Sequence, residues 1–437
     1  MRSHSSVNKD QEMQIASCET VTASLSAKYQ QVRLFTEYLC QPLAIEDYVI
    51  QSMPDVSPTK WHLAHTSWFF ETFLLAAANP DYQPYNKHYN YLFNSYYVAV
   101  GDRYCRAQRG LLSRPTVAEI YDYRHYIDEH IMALLAKIDT GYHSDLAARV
   151  ELGLHHEQQH QELLLTDIKH VYSLNPLQPI YQPREQQSNI SLPALSWQSF
   201  LGGLHWIGNS GKEFVFDNEC PRHRVFIAPF QLATRLITNG EYLNFIEDGG
   251  YCRPELWLSD GWYTVQTQQW QAPLYWQKID ECWWQMTLSG LSKVYEAEPV
   301  CHVSFYEADA YARWAGARLP SEAEWEVATT AQSQKGNFVE AGNYHPVPLT
   351  DSSDTLTQMF GDVWEWTQSH YSPYPGYYPP AGALGEYNGK FMCNQFVLRG
   401  GSCATSAYHI RPTYRNFFPA QARWQFTGIR LAKETVV

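Results

Sequence analysis

The sequence predicts an α+β protein of more than one domain, with a helical first half and an irregular second half of short strands and short helices. Three observations predict this. Apolar residues recur at helical spacing from about residue 20 to 175. A proline-bearing stretch with little periodic apolar content over 174–193 reads as a linker. Beyond it, apolar and aromatic runs are short and broken by Gly, Pro and Asn. A chain of 437 residues also exceeds one ordinary core. The expected division is a flexible tail over 1–20, a helical bundle over 21–173, the linker over 174–193 and a second domain over 194–435.

Each element has its own signal. A weaker helix is expected around residues 20–42. Ser57-Pro58 reads as an N-cap and first-turn pair, opening a helix that puts Trp61, His65, Trp68 and Thr72 on one face. Pro115 opens the next helix, and Ser144 can cap another, DLAARVELGLHHEQQHQELLLTDIKHVYSL. Together these make an up-and-down four-helix bundle. In the second half, Val225–Ala228 and Phe396–Arg399 read as strands, and Tyr306–Trp314 and Glu322–Thr329 as short helices. No internal repeat is visible.

Composition excludes several classes. A net charge of −13 offers no basic patch for phosphates, which argues against nucleic acid. The nine cysteines are scattered, with no C-x-x-C, which excludes a zinc ribbon and a thioredoxin-type motif. They fit reduced thiols, hence a cytoplasmic location. MRSHSSVNKDQEMQ lacks the apolar core of a signal peptide, and no run of 18 apolar residues could span a membrane.

The strongest chemical signal is His156 and His160 in LHHEQQHQELL. Residues four apart lie one above the other on a helix, so both imidazoles can reach one cation. His155 is rotated by about 100° and should point elsewhere. The string also satisfies H-E-x-x-H, in which Glu157 would be the general base of a zinc peptidase. The metzincin extension is absent, because Leu163 and Thr166 stand where Gly and His would. His62 and His65 are both available as a third ligand, and periodicity does not choose between them. Three neutral imidazoles would leave a divalent iron its full charge and favour an anionic ligand such as a thiolate.

Several long runs carry a resemblance. SPTKWHLAHTSWFFE, FNSYYVAVGDR, RPTVAEIYDYR and HHEQQHQELLLTD are similar to the DinB-type bundle of the ergothioneine-biosynthesis sulfoxide synthases (hercynine oxygenases). GGLHWIG, FDNECPRHRV, TNGEYLNFIEDGGY, PVCHVSFYEADAYARWAGARLPSEAEWE, GDVWEWT, LRGGS and FTGIRLA resemble the formylglycine-generating enzyme (sulfatase-modifying factor) domain, a C-type-lectin-like fold. The resemblance implies Fe(2+) held by His65, His156 and His160. It implies Gln159 at hercynine (trimethylhistidine), with Asn416, Phe417 and Phe418 bordering the same pocket. Tyr96 and Tyr97 match the subgroup that uses cysteine rather than γ-glutamylcysteine, where a tyrosine hydroxyl donates a proton or hydrogen atom. Arg103, in GDR, is a candidate clamp for the cysteine carboxylate, because a guanidinium binds carboxylates bidentately. Trp364, Glu365, Trp366, Gly400 and Gly401 read as core instead. Formylglycine chemistry itself is not expected, since it needs two thiols and Cys403 stands alone after LRGGS.

The implied activity is an iron- and O2-dependent sulfoxide synthase joining cysteine to hercynine, with hercynine, cysteine and O2 as small-molecule substrates. The alternatives are a C–Se or C–S bond-forming oxygenase of selenoneine or ovothiol biosynthesis on the same scaffold, and a non-catalytic DinB-type binding module.

Overall fold

Capping side chains mark some, but not all, of the helix starts in the first half. The computed structural model describes residues 24–138, 144–185, 192–211, 213–350 and 355–435. The tail expected over 1–20, part of the linker and the Ser144 side chain lie outside the described set. Helix α1 (Leu25–Cys40) is capped by the Ser24 hydroxyl. Helix α2 (Thr59–Phe70) begins at Pro58 without a side-chain cap. Ser57 does not serve as the cap. Its N–H donates to Asp167 and its hydroxyl accepts from Arg109, so charged tertiary partners replace the helix end. Helix α3 (Val117–Ile138) opens on a reciprocal capping box between Thr116 and Glu119, just past the expected Pro115. Helix α4 (Ser144–Leu174) is the longest among the described residues.

Helix α2 is buried on every side from Thr59 to Phe70, not along one stripe, because α3 and α4 and the segments around it enclose it. α4 is shared among three neighbours. Its Glu157 and Gln161 face α1, and its His156 and His160 face α2. Its His155, Gln158, Gln159 and Glu162 reach into the second half. Steps of about 100° per residue give one helix these three faces.

The second half carries strands β1 (Trp197–Phe200), β2 (Gly203–Ile207), β3 (His223–Ile227), β4 (Phe230–Ala233), β5 (Trp276–Ile279) and β6 (Cys282–Thr287). They are followed by β7 (Gly290–Lys293), β8 (Trp364–His370), β9 (Phe396–Arg399), β10 (Asn416–Phe418), β11 (Thr427–Gly428) and β12 (Ala432–Glu434). Its helices include α5 (Asn239–Glu247), α6 (Ser259–Gln268), α7 (Phe305–Trp314) and α8 (Glu322–Thr329). The expected Phe396–Arg399 and Glu322–Thr329 have the bounds read from sequence. The expected Val225–Ala228 and Tyr306–Trp314 shift by one or two residues. Ser304–Glu307 and Ser321–Glu324 close capping boxes at the starts of α7 and α8.

Among the described residues these form four small sheets: β1-β4-β12, β10-β9-β8-β11, β2-β3 and β5-β6-β7. β12 pairs with β4, which ties the end of this half to its beginning. The core lies around Trp325, Trp364 and Trp366, all buried. Buried Glu365 accepts from Trp325 Nε1 and Arg430 Nε, each at 2.8 Å, so it is core as expected. Gly400 has φ +97°, and a Cβ there would meet the Met359 carbonyl oxygen at 2.7 Å, so the turn after β9 requires glycine.

Candidate metal centre and active site

The packing of α2 against α4 brings three imidazoles together. Ring nitrogens of His65, His156 and His160 all lie within 4.8 Å of one another, a spacing that suits a shared cation. His65 Nε2 and His156 Nε2 approach to 3.2 Å. Burial drives the pKa of all three rings down, to about 3 for His156, so the rings are neutral and their lone pairs available.

Neighbours fix which nitrogen faces the cluster. His65 Nδ1 donates to the Phe93 carbonyl at 2.6 Å, leaving Nε2 inward. The His65 ring is held between Trp61 (4.5 Å between centroids, 13° between planes) and Trp68 (5.4 Å, 18°). Asp167 accepts from His62 Nε2 at 3.0 Å, and His62 Nδ1 lies 2.9 Å from His160 Nδ1. With Asp167 holding the Nε2 proton, His62 Nδ1 accepts from His160 and leaves His160 Nε2 free; these tautomers follow from the hydrogen-bond network. His62 therefore stands behind the cluster and His65 inside it. His156 Nδ1 is buried with no hydrogen-bond partner in the protein.

Glu157 cannot act on a substrate at this centre. Its carboxylate is fully buried between Arg33 (2.9 Å) and Arg124 (2.6 Å) and also accepts from Thr36. Burial works against the charge, but the two guanidiniums prevail and hold its pKa down to about 2. H-E-x-x-H is thus a metal-spacing pattern here, with the glutamate built into the bundle as an ion pair.

The model of the sulfatase-modifying factor enzyme 1-like domain matches residues 198–435. Hercynine oxygenase of Mycolicibacterium smegmatis is 32% identical over 418 residues, covering 87% of this chain and 92% of that protein. Hercynine oxygenase of Mycobacterium tuberculosis is 30% identical over 403 residues, covering 87% of this chain and 91% of that protein. The chain belongs to the hercynine oxygenase family. It is therefore an oxygenase, an oxidoreductase, and not a non-catalytic module. The formylglycine-generating enzyme of Streptomyces coelicolor is 26% identical and covers 56% of this chain. That likeness reflects the shared second domain.

In this hercynine oxygenase relative, Gln159 lies between two tyrosines of the second half. The Tyr387 hydroxyl donates to Gln159 Oε1 at 2.5 Å, and Gln159 Nε2 donates to the Tyr414 hydroxyl at 2.7 Å. The Tyr387 ring also stands 5.8 Å from that of His156. Tyr97 is fully buried against Trp68 and Phe73, and its hydroxyl is 3.4 Å from that of half-buried Tyr96. Trp68 touches both His65 and Tyr97, and Phe69 touches both His156 and Tyr97, so one ring separates Tyr97 from the cluster.

The other sequence-derived residues lie further out. Phe417 on β10 stacks on Tyr371 (4.0 Å, 9°) and Phe391 (5.8 Å, 25°), and Phe391 reaches Tyr96. Phe418 packs edge-on to Trp424, and Asn416 Oδ1 accepts from the Phe417 N–H. Arg103 is exposed, with Nη1 donating to the Ser95 carbonyl. His155 turns away from the cluster, stacks on Phe214 at 3.9 Å and meets His409. Cys403 is buried, and burial and then nearby Cys301 push its thiol pKa well up. The sequence had left that thiol without a neighbour.

Tyr387, Tyr414, His409 and Asp167 were not found from sequence. Asp167 carried the one usable signal, since it falls seven residues after His160 on the same helix and so shares its face.

Proposed function

We propose that this protein is an iron(II)- and O2-dependent sulfoxide synthase of ergothioneine biosynthesis, joining cysteine to hercynine as hercynylcysteine sulfoxide. The observation that carries the reading is the trio of neutral imidazoles, with His65 and His156 buried and His160 half-buried, in a chain whose relatives over nearly its whole length are hercynine oxygenases.

The donor set fits iron(II). His65, His156 and His160 would hold it with no carboxylate among them, leaving its charge for an anionic thiolate. The 3.2 Å approach of two imidazole Nε2 atoms, on rings whose lone pairs are available, suits a cation between them better than an empty core. Bound there, iron(II) supplies the redox chemistry with dioxygen and the charge that keeps the thiol deprotonated.

The balance is simple. One C–H bond of the imidazole and one S–H bond of cysteine break, a C–S and an S–O bond form, and water takes both hydrogens with the second oxygen atom.

The chain's own part is placement and proton supply. Gln159, fixed from both ends by Tyr387 and Tyr414, orients the hercynine imidazole or its carboxylate region. Phe417 and its aromatic neighbours face the trimethylammonium group, a cation–π contribution of about 0.5–2 kcal/mol. Arg103, tied at one nitrogen to Ser95, keeps the rest of its fork for the cysteine carboxylate. Tyr96 and Tyr97 deliver the proton or hydrogen atom. The Tyr-Tyr pair supports cysteine as donor, and the dispersed free thiols support a cytoplasmic location. Among the described residues no helix is long and apolar enough to cross a membrane.

The deciding experiment reconstitutes the protein anaerobically with iron(II), adds hercynine and cysteine, starts the reaction with air and reads products by mass spectrometry. The sulfoxide should form only with all four components. Turnover without hercynine and none with it would overturn the reading.

A further inference from the structure

The tyrosine pair belongs to the first half, yet its backbone is held from the second. Tyr96 and Tyr97 sit on the segment that runs from Asn94 into the single turn Val98–Val100. Asn94 secures the inner side. Its Oδ1 accepts from the Tyr97 N–H at 3.1 Å, and its Nδ2 donates to the Tyr97 carbonyl at 3.0 Å.

The outer side is secured by one ion pair from the loop after β8. The Glu386 carboxylate accepts from the Val98 N–H at 3.0 Å and the Ala99 N–H at 2.8 Å, using both oxygens. Lys390, four residues on, bonds Glu386 at 2.7 Å and also donates to the Tyr96 carbonyl. Its ammonium lies 5.1 Å from the centre of the Tyr96 ring. Three consecutive peptide groups beginning at Tyr96 are thus tied to two side chains that lie far away in sequence.

The pair is poorly suited to stabilising the fold as a salt bridge. Glu386 and Lys390 are both partly exposed, and such pairs contribute little by themselves. What they do supply is geometry. The ties span both halves, and Tyr387, which holds Gln159, follows Glu386 directly in the chain.

We propose that Glu386 and Lys390 are positioning residues: they clamp the Tyr96–Ala99 backbone and so set where the two tyrosine hydroxyls stand during the reaction. The proposal rests on the role given above to Tyr96 and Tyr97. Misplacing a reacting group by about 1 Å can cost roughly 100-fold, so loosening the clamp changes the product more than the binding.

The test uses full-length, iron-loaded protein with Glu386→Ala, Glu386→Gln, Lys390→Met and Lys390→Arg, beside Tyr96→Phe and Tyr97→Phe. Two readouts are taken. One is amide hydrogen exchange of the peptide covering residues 95–101. The other is the ratio of hercynylcysteine sulfoxide to cysteine sulfinate, together with kcat and KM. Glu386→Ala and Lys390→Met should speed exchange in that peptide and lower the ratio by about tenfold or more, with KM for hercynine nearly unchanged. Glu386→Gln should fall between, and Lys390→Arg should restore both readouts. Unchanged exchange in Glu386→Ala overturns the clamp whatever the reaction does. Faster exchange with a wild-type ratio, while either tyrosine variant shifts that ratio, overturns the positioning role alone. If the tyrosine variants also leave the ratio unchanged, the tyrosine reading falls and the positioning role falls with it.

Discussion

His62 Nδ1 lies 2.9 Å from His160 Nδ1, while the opposite nitrogen of His62 lies 3.0 Å from the Asp167 carboxylate. A carboxylate, an imidazole and a candidate metal ligand thus form one line. Groups that orient a ligand from behind are worth about 10–100-fold in metal affinity. His62→Ala and Asp167→Asn should therefore weaken iron binding by about that factor without abolishing it. Chelator competition measures this. Complete loss of iron in His62→Ala alongside normal iron in His65→Ala would reverse their assignments.

The three ligand variants should behave differently from that pair. His65→Ala, His156→Ala and His160→Ala each remove a donor from the cluster, so each should lose both iron and sulfoxide formation. His155→Ala should keep stoichiometric iron, since His155 faces Phe214 and His409. Metal analysis of the purified variants decides it, and a His156 variant with unchanged iron would refute the ligand set.

How much of this was readable beforehand depends on range. His156 and His160 were visible because four residues on one helix fix their relation locally. The choice between His62 and His65 was not, since it depends on how α2 is rotated against α4. Gln159 was located, but its partners Tyr387 and Tyr414 come from more than 200 residues away, and no local pattern ties them to it. Glu157 satisfied a motif while its carboxylate was committed to Arg33 and Arg124, which only packing shows. Helices of the second half were read well where Ser-x-x-Glu boxes mark their starts, as at Ser321. Most strands were not, because pieces of three to six residues with mixed burial leave no clear alternation, as in β6.

Glu157→Gln should act on stability and not on chemistry. It removes the counter-charge that Arg33 and Arg124 share; because Arg33 keeps Asp128 and Arg124 keeps Glu37, the cost should fall below the roughly 3–5 kcal/mol of a fully broken buried pair. A clear fall in the urea midpoint is expected, with turnover per folded, iron-loaded molecule near wild type. Acid should have a related effect. The Glu157 pKa is lowered on folding from its usual 4.5 to about 2. Its contribution is then complete above about pH 4.5 and is lost as pH falls toward 2. Wild-type stability should drop through that window more steeply than that of Glu157→Gln, and equal slopes would contradict the assignment.

Cysteine should outcompete γ-glutamylcysteine as the sulfur donor, the expectation attached to Tyr96 and Tyr97 in FNSYYVAVGDR. The kcat/KM values of the two thiols, measured at fixed hercynine, test this directly. A preference for the dipeptide would move the protein to the other donor subgroup.

The tyrosine hydroxyls should govern product choice jointly. They stand 3.4 Å apart, and burial pushes both pKa values upward, so both remain neutral phenols across the working pH range. They can give a proton or hydrogen atom but cannot act as bases, and no tyrosine ionisation should break the pH–rate profile below about pH 10. Replacement by Phe keeps the ring contacts of Tyr97 with Trp68 and Phe73, so folding and iron content should stay near wild type. What is lost is general-acid assistance, typically worth about 10²–10⁴-fold. The sulfoxide-forming branch should fall accordingly against cysteine sulfinate, which arises when sulfur is oxygenated without a C–S bond. Because the two hydroxyls contact one another, either single variant also disturbs the remaining partner. The Tyr96→Phe, Tyr97→Phe double variant should then lose less than the two single losses added together. Product ratios from all four proteins complete this cycle. Additive losses would mean that the hydroxyls act independently, and wild-type ratios throughout would mean that the pair only packs.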